Sequence, residues 1–290
     1  MTDQSVSSPS EEMDRRATDF RKIALWTGAA TILLYLLAVH TSIGQSWDDT
    51  AVLERAKAGK KQITRAQEVL ETIRLPFLIG VLALIVIIGV CRKRVLPAVA
   101  AASVFIGTVF LAEALKIVLP RQELSDLESQ VKFDGLNTFP SGHATIATSL
   151  VFAFILVCSV RVRPWIAIIG VIGAATVAWG TLAAGWHRPS DAVGGVLLAM
   201  TCFAAASAWL LPRFWHPVLS PPLTRILVPV GVLSLSLIAV SARAITWWAP
   251  PDQDWQLDSA AYVVASVSIL ACTGFAILSF AWLLRSVDLR

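Results

Sequence analysis

The sequence predicts an all-α membrane protein, a polytopic helix bundle with a six-helix core and two extra transmembrane helices at its C-terminal end. Composition is the first observation: 56% of the 290 residues are hydrophobic and 15% are charged, with a mean hydropathy of +0.68. An average globular domain is far more polar. The second observation is that the apolar residues gather in runs of about 20, the length that crosses a bilayer.

The apolar runs give eight predicted membrane spans. They are 23–43, 75–91, 95–115, 143–160, 164–185, 191–211, 226–245 and 260–284. The polar segment 1–20 lacks the pattern of a cleavable signal, so we expect it to be disordered and the first span to remain as an anchor. We expect residues 21–211 to form the core and residues 212–290 to add the C-terminal pair of helices.

Residues 45–74, between the first two spans, predict an amphipathic helix on the membrane surface. Apolar side chains recur there at helical spacing among charged ones: Val52, Ala56, Ile63, Ala66, Leu70 and Ile73. Such a segment is commonly a solvated connector, and we expect that role here. The alternative is a lid or a lipid-entry surface beside a functional site.

The basic residues predict partners and orientation. The net charge is +4, but no basic patch with interleaved aromatic residues is present, so we expect anionic lipid headgroups rather than nucleic acid as the partner. Once segment 45–74 is set aside, most of the other basic residues lie at span ends on the side of the N-terminus. The positive-inside rule therefore predicts that both termini are cytoplasmic.

Residues 138–143, Thr-Phe-Pro-Ser-Gly-His, predict an anion-binding helix start before the fourth span. Pro140 suits the first turn of a helix, where its missing N–H costs nothing. The unpaired amides and the positive end of the helix dipole favour an anion, and Gly142 lets an oxyanion approach the backbone. Ser141 and Gly142 are thus candidate phosphate-binding residues, and His143 adds a group that exchanges protons near neutral pH.

A second histidine, His187, lies between the fifth and sixth spans, four residues before Asp191. The carboxylate at that spacing can reach the imidazole, fix its tautomer and raise the basicity of the other ring nitrogen. A lone histidine near a membrane interface is more often structural. Two histidines on one membrane face favour catalysis, whereas His40 and His216 lack such neighbours and receive no role.

The third span ends in Lys116, with Arg121 shortly beyond it. Both cations could merely extend toward lipid headgroups, and Glu113 is spaced to neutralise Lys116. The alternative, which the downstream histidine motif favours, is that both hold a phosphate.

The motif Pro140-Ser141-Gly142-His143, with His187, Asp191 and the upstream Lys116, resembles the type 2 phosphatidic acid phosphatase (PAP2) superfamily of integral-membrane lipid phosphatases. The resemblance implies a phosphomonoesterase or pyrophosphatase that needs no metal or cofactor and acts on a lipid phosphate or polyprenyl phosphate. His187 would attack phosphorus to form a phosphohistidine, Asp191 would orient it, and His143 would protonate the leaving oxygen and then activate water. The phosphoryl oxygens would be surrounded by Lys116, Arg121, Ser141, Gly142 and Arg188. Family habit also implies a bacterial inner membrane with the site on the periplasmic side.

Two departures from the family pattern concern arginines. The first family motif usually ends Arg-Pro seven residues after its lysine, but Glu and Leu occupy positions 123 and 124, and the nearest arginine is Arg121. The third usually opens Ser-Arg six to seven residues before its histidine, where this chain has Gly180 and Thr181. Arg188, directly after His187, could supply the missing charge.

Two other functions fit the same residues. A phosphotransferase would use the same phosphohistidine and pass the group to an alcohol. A lipid-binding protein or transporter with a decayed site would explain the missing arginines. A transporter is the weaker alternative, because transporters usually carry ionisable groups near the bilayer midplane and these spans carry almost none.

Overall fold

Helices make up most of the structure, a computed structural model that describes residues 8–55, 60–131, 133, 137–226, 229, 231, 233 and 254–289. The predicted all-α polytopic bundle is confirmed. The helices are α1 (Pro9–Val39), α2 (Ser42–Glu54), α3 (Lys60–Glu71), α4 (Leu75–Cys91), α5 (Val95–Val118), α6 (Glu128–Val131), α7 (Gly142–Val157), α8 (Arg163–Ala183), α9 (Pro189–Phe214) and α10 (Asp254–Leu283). Two short strands, β1 (Trp215–Pro217) and β2 (Val287–Leu289), pair in antiparallel orientation.

Five of the described helices are long and apolar enough to cross a membrane: α1, α5, α8, α9 and α10. Helices α3 and α4 meet the same test together, although a 57° bend separates them, and α7 is apolar but shorter. The chain is therefore an integral membrane protein. Residues 222–226 are helical, but most of the predicted span 226–245 lies outside the described residues.

Helix α1 begins earlier than the sequence predicts. Residues 9–20 were expected to be disordered with the rest of segment 1–20, but they are helical. Ser8 caps the helix, since its Oγ accepts the Glu11 N–H at 3.3 Å and its own N–H donates to Glu11 Oε2 at 2.8 Å. Arg16 then donates to the Leu283 carbonyl at 2.5 Å and to Ser286 Oγ at 2.6 Å. These tertiary contacts hold a polar segment in helical form.

Segment 45–74 forms two helices, α2 and α3, instead of one surface helix. Helix α3 buries Ala66 and Leu70 on the predicted apolar face and packs against α8. Helix α2 instead buries polar side chains, including Asp48 and Asp49, and packs against α1, α9 and α10. The apolar pattern missed this because it assumes that carboxylates face solvent, whereas these carboxylates have buried partners.

Helix α10 packs in the same core as the helices of segment 21–211. The rings of Phe152 in α7, Phe203 in α9 and Phe280 in α10 lie 4.4 to 6.4 Å apart between centroids. All three side chains are buried in one hydrophobic cluster. The helix predicted as part of an appended pair therefore contributes to the central packing.

The direction of each helix decides which end of the bundle carries the site. Helices α5 and α8 end, and helices α7 and α9 begin, at one end, which we call the site end. Arg92, Arg94 and Arg163 lie at the opposite end beside β1 and β2. The predicted site residues all lie at or near the site end.

Candidate active site

The first turn of α7 is fixed to the start of α9 by Ser141. Ser141 is the N-cap of α7, and its Oγ accepts the Ala144 N–H at 3.4 Å. Its own N–H donates to the Asp191 carbonyl at 2.8 Å. Pro140 precedes this cap, so it does not occupy the first helical turn as predicted; Gly142 is the first helical residue. The remaining first-turn amides point out of the helix end, as expected for an anion site.

Lys116 lies over this helix start. A Cβ placed on Gly142 would be 2.6 Å from Glu113 Oε1 and 3.3 Å from Lys116 Nζ. Lys116 Nζ also donates to Glu113 Oε1 at 2.8 Å. Lys116 thus has the neutralising carboxylate that its spacing predicted and also lies beside the first residue of α7, and phosphate binding by this lysine stays a prediction.

His187 and Asp191 form the predicted pair, with 3.4 Å between His187 Nδ1 and Asp191 Oδ2. The same carboxylate oxygen accepts Thr138 Oγ1 at 2.6 Å and the Arg188 N–H at 2.9 Å. The Asp191 side chain is completely buried. Since Nδ1 faces the carboxylate, Nε2 is the ring nitrogen that can act on a substrate.

The loop that carries His187 is folded back on the end of α8. The N–H groups of Trp186 and His187 donate to the Thr181 carbonyl at 2.9 and 3.2 Å. Gly185 has a φ of +74°, the left-handed region in which glycine ends helices without strain. The turn therefore sets where the His187 ring stands relative to the two helices.

His143 lies at the same end as His187. Its ring centroid is 5.4 Å from that of Trp186, the neighbour of His187 in the chain. His143 lies within electrostatic range of His187, Lys116 and Glu113, and near the backbone of Leu70 in α3. The fold thus brings together the two histidines and the lysine that the sequence separates by up to 71 positions.

Arg188 is held by the carboxylate of Asp49, a residue that stands in no sequence motif. Its Nε donates to Asp49 Oδ1 at 2.7 Å, and neither side chain is exposed. The guanidinium also lies 4.2 Å from the centroid of the Phe133 ring. These contacts give Arg188 a structural role in joining α2 to the histidine loop.

Arg121 lies on the α1 side of the site end. Its charge acts on Tyr35, whose hydroxyl donates to the Pro120 carbonyl at 2.5 Å. The Tyr35 ring is in turn 5.5 Å from Phe139. The described contacts therefore connect Arg121 to α1 and to the residue before Pro140.

Four residues of the site end were missed from the sequence as functional candidates: Asp48, Asp49, Arg55 and Thr138. Asp48 accepts the Ser190 N–H at 3.2 Å and is also bonded to Ser190 Oγ. The Arg55 side chain lies against Gly185. The three residues of segment 45–74 gave no signal, since a helical period identifies apolar faces only. Thr138 is the first residue of the 138–143 motif, and that position was its one available signal.

The arrangement suits transfer of a tetrahedral anionic group. An oriented imidazole can attack, a second imidazole can move a proton, and Lys116 with the α7 amides can stabilise charge on the transferred group. Phosphoryl transfer needs chiefly such positioning and positive charge. Within the described part of the chain, no group of three or more His, Cys, Asp or Glu side chains could hold a metal ion.

A family comparison covers most of this site. Residues 95–215 match the model of the PAP2 superfamily, which confirms the resemblance. The segment contains all the candidate residues predicted from the sequence, from Lys116 to Asp191, while α2, α3 and α10 lie outside it. No curated protein and no solved structure matches the chain.

Proposed function

Because residues 95–215 belong to the PAP2 superfamily, whose activity is in general that of a phosphatase, we propose that this protein hydrolyses a lipid phosphate or a prenyl (pyro)phosphate through a phosphohistidine. The observation that carries the proposal is the His187–Asp191 pair at 3.4 Å, beside His143 and the amide end of α7. The pair supplies the nucleophile, and the helix end supplies the anion site.

The first step forms the phosphoenzyme. The lone pair of His187 Nε2 makes a bond to phosphorus while the bond between phosphorus and the leaving oxygen breaks. Protonated His143 gives that oxygen its proton, so the alcohol or phosphate leaves without a full negative charge. Asp191 accepts from Nδ1 and stabilises the positive charge that develops on the His187 ring.

The second step hydrolyses the phosphohistidine and regenerates the free enzyme. Neutral His143 removes a proton from water, the water oxygen bonds to phosphorus, and the bond to His187 Nε2 breaks. Inorganic phosphate leaves, and His143 is again protonated. Lys116, Ser141, Gly142 and the α7 amides would hold the equatorial oxygens in both steps.

A groove beside the site supports a lipid substrate. A cavity of about 480 Å³ lies between α3 and α8 and is lined by Lys61, Gln62, Arg65, Ala66, Val69, Thr176, Trp179 and Gly180. Its volume is within the usual range of small-molecule sites. Gly180 adjoins Thr181, which accepts the His187 N–H, and Leu70 near the end of α3 lies by His143. A lipid tail in this groove would place its headgroup toward the histidines.

The charge distribution supports an extracytoplasmic site. Arg92, Arg94 and Arg163 lie at the end of the bundle opposite the histidines. By the positive-inside rule that end is cytoplasmic. We therefore propose that the histidines face the periplasm of a bacterial inner membrane.

Phosphate release by the purified protein tests the proposal. The protein in detergent is offered phosphatidate, phosphatidylglycerol phosphate and polyprenyl diphosphate in the presence of a chelator. We expect release from at least one substrate, its loss in His187→Ala, and wild-type release in the control His216→Ala, which changes an exposed histidine of β1. A phosphoenzyme stable to base and labile to acid is expected in the wild type. Full release by His187→Ala would contradict the mechanism.

A further inference from the structure

The cations at the site end differ in how their charge is balanced. Lys116 has Glu113 at 2.8 Å, and Arg188 has Asp49 at 2.7 Å. Each of these predicted phosphate ligands therefore already faces a carboxylate. An incoming phosphate must compete with that carboxylate, so the site gains less from either cation than its formal charge suggests.

Arg55, at the C-terminal end of α2, has no such carboxylate. Among the residues described, none forms an ion pair with it, and its Nε is buried without a hydrogen-bond partner. Burial lowers the pKa of this guanidinium, an effect that the Tyr262 hydroxyl partly offsets. A guanidinium nevertheless stays protonated, and a half-buried one without a counter-ion is unfavourable until an anion binds.

The Arg55 guanidinium lies against the loop that carries His187. A Cβ on Gly185 would be 2.1 Å from Arg55 Cζ and 2.2 Å from Nη2. Only glycine leaves room for this contact, and its φ of +74° also favours glycine. Gly185 precedes Trp186, whose ring contacts His143, and is two residues before His187. The cation is therefore placed at the base of the turn that holds the proposed nucleophile.

Three contacts keep α2 in place. The Glu54 carboxylate accepts the Tyr262 N–H of α10 at 2.8 Å. Upstream in the same helix, Asp48 and Asp49 bond to Ser190 and Arg188. The helix that presents Arg55 is thus fixed to both α9 and α10, which reduces the entropy lost when the guanidinium orders around a ligand.

We propose that Arg55 binds a phosphoryl oxygen of the substrate, and this proposal rests on the proposed function. It supplies, from outside the segment that matches the family, the cation that is missing at Thr181. Thr181 and Gly185 are joined through the turn in which the Thr181 carbonyl accepts the N–H groups of Trp186 and His187. A guanidinium offers two parallel donors to a phosphate, so the ligand class is a phosphate monoester or diphosphate end group.

Steady-state kinetics with inorganic phosphate as a competing ligand test the proposal. Arg55→Gln is expected to lower kcat/KM by about 10- to 100-fold, the effect of removing a hydrogen bond to a charged group. It should weaken inhibition by inorganic phosphate by a similar factor. Arg55→Lys keeps the charge but loses the paired donors, and we expect intermediate values for both quantities. The control is Arg74→Gln, since Arg74 is a mostly exposed arginine paired with Glu71; it should match the wild type.

The outcomes separate this proposal from the proposed function. If Arg55→Gln keeps the wild-type kcat/KM, or loses turnover while its affinity for inorganic phosphate is unchanged, Arg55 does not hold the phosphate. An unchanged melting temperature shows that Arg55→Gln folds. If Arg55→Gln does not fold, Arg55→Lys is compared with the wild type in its place. If the wild type releases no phosphate or His187→Ala remains active, the proposed function fails instead.

Discussion

Arg188 Nε lies 2.7 Å from Asp49 Oδ1, and both side chains are completely buried between α2 and the start of α9. The pair joins the first extramembrane connection to the residue that follows His187. Segment 45–74 is therefore more than a solvated connector: through Asp48, Asp49 and Arg55 it contacts the turn that carries the histidine.

Removing one partner of this pair should destabilise the protein strongly. Asp49→Leu leaves a buried guanidinium without its carboxylate, a change that costs about 3–5 kcal/mol. We expect a clear fall in melting temperature in detergent. The double variant Asp49→Leu/Arg188→Met should recover much of the loss, because two apolar side chains can replace a buried pair.

A surface ion pair gives the control for these two variants. Arg74 and Glu71 lie 3.6 Å apart and are mostly exposed, so Glu71→Leu should change stability by no more than about 1 kcal/mol. If the double variant at positions 49 and 188 is no more stable than Asp49→Leu, the two side chains do not act as a pair.

Thr138 should support catalysis without touching the substrate. Its Oγ1 donates to Asp191 Oδ2 at 2.6 Å, the oxygen that also faces His187 Nδ1. Thr138→Val keeps the shape and removes the donor, so Asp191 is held less firmly. We expect kcat to fall about 10-fold with little change in KM, and Thr138→Ser to retain most of the activity. A change in KM alone would mean that Thr138 acts on substrate binding.

The helices were the part of the fold most accessible from the sequence. Apolar runs of membrane length have no alternative to helices in a bilayer, and α4 was predicted at its observed bounds of residues 75–91. The sequence could not show that residues 9–20 are helical, because contacts with Leu283 and Ser286 from the other end of the chain stabilise them. Long-range polar contacts of this kind leave no periodic signal.

Some residues of the candidate site could also be predicted from the sequence, and others could not. His143, His187 and Asp191 stand in local motifs, and the fold places them at one end of the bundle. The partner of Arg188 was not predictable, since Asp49 lies 139 positions away in a helix whose period suggested a membrane surface. Arg55 could not be predicted either, since the loop that it contacts at Gly185 is also far away in the sequence.

The pH dependence of stability should report on Asp48. Burial, together with the nearby charge of Asp191, raises the pKa of Asp48 to about 7 from an ordinary value of 3.8. The folded state thus binds this proton more tightly than the unfolded state does. The resulting stabilisation is complete below about pH 4 and is lost as the pH rises through about 7.

Asp48→Asn should remove this contribution. Its amide mimics the protonated carboxyl toward Ser190, so the variant should match the wild type near pH 4 and melt at a higher temperature near pH 8. Melting curves between pH 4 and 8.5 measure the difference. Parallel wild-type and variant curves over this range would show that the pKa of Asp48 is not raised in the folded state.

The opposite end of the bundle should show the reverse pH dependence, because its carboxylate is paired with arginines. Asp288 in β2 bonds to both Nη atoms of Arg94, and Arg92 Nη2 lies 3.8 Å from its Oδ1. Arg163, also buried there, donates to the Leu284 and Val287 carbonyls at 2.7 and 2.5 Å. One carboxylate thus offsets several arginines where the C-terminal strand packs on the bundle.

Burial alone would raise the pKa of Asp288, but hydrogen bonds and charge from Arg94, with the charges of Arg163 and Arg92, hold it below its ordinary value. A depressed pKa contributes stability that is present above the unfolded pKa, about 4, and is lost as the pH falls through the lower folded value.

The melting temperature of the wild type should therefore decrease as the pH drops below about 4. Asp288→Asn should lower the unfolding free energy at pH 7 by about 3–5 kcal/mol, since the arginines lose their counter-ion. The melting temperature of the variant should fall accordingly. The variant should also lose part of the acid sensitivity. An Asp288→Asn protein as stable as the wild type at pH 7 would mean that the C-terminal strand is held by its backbone contacts alone.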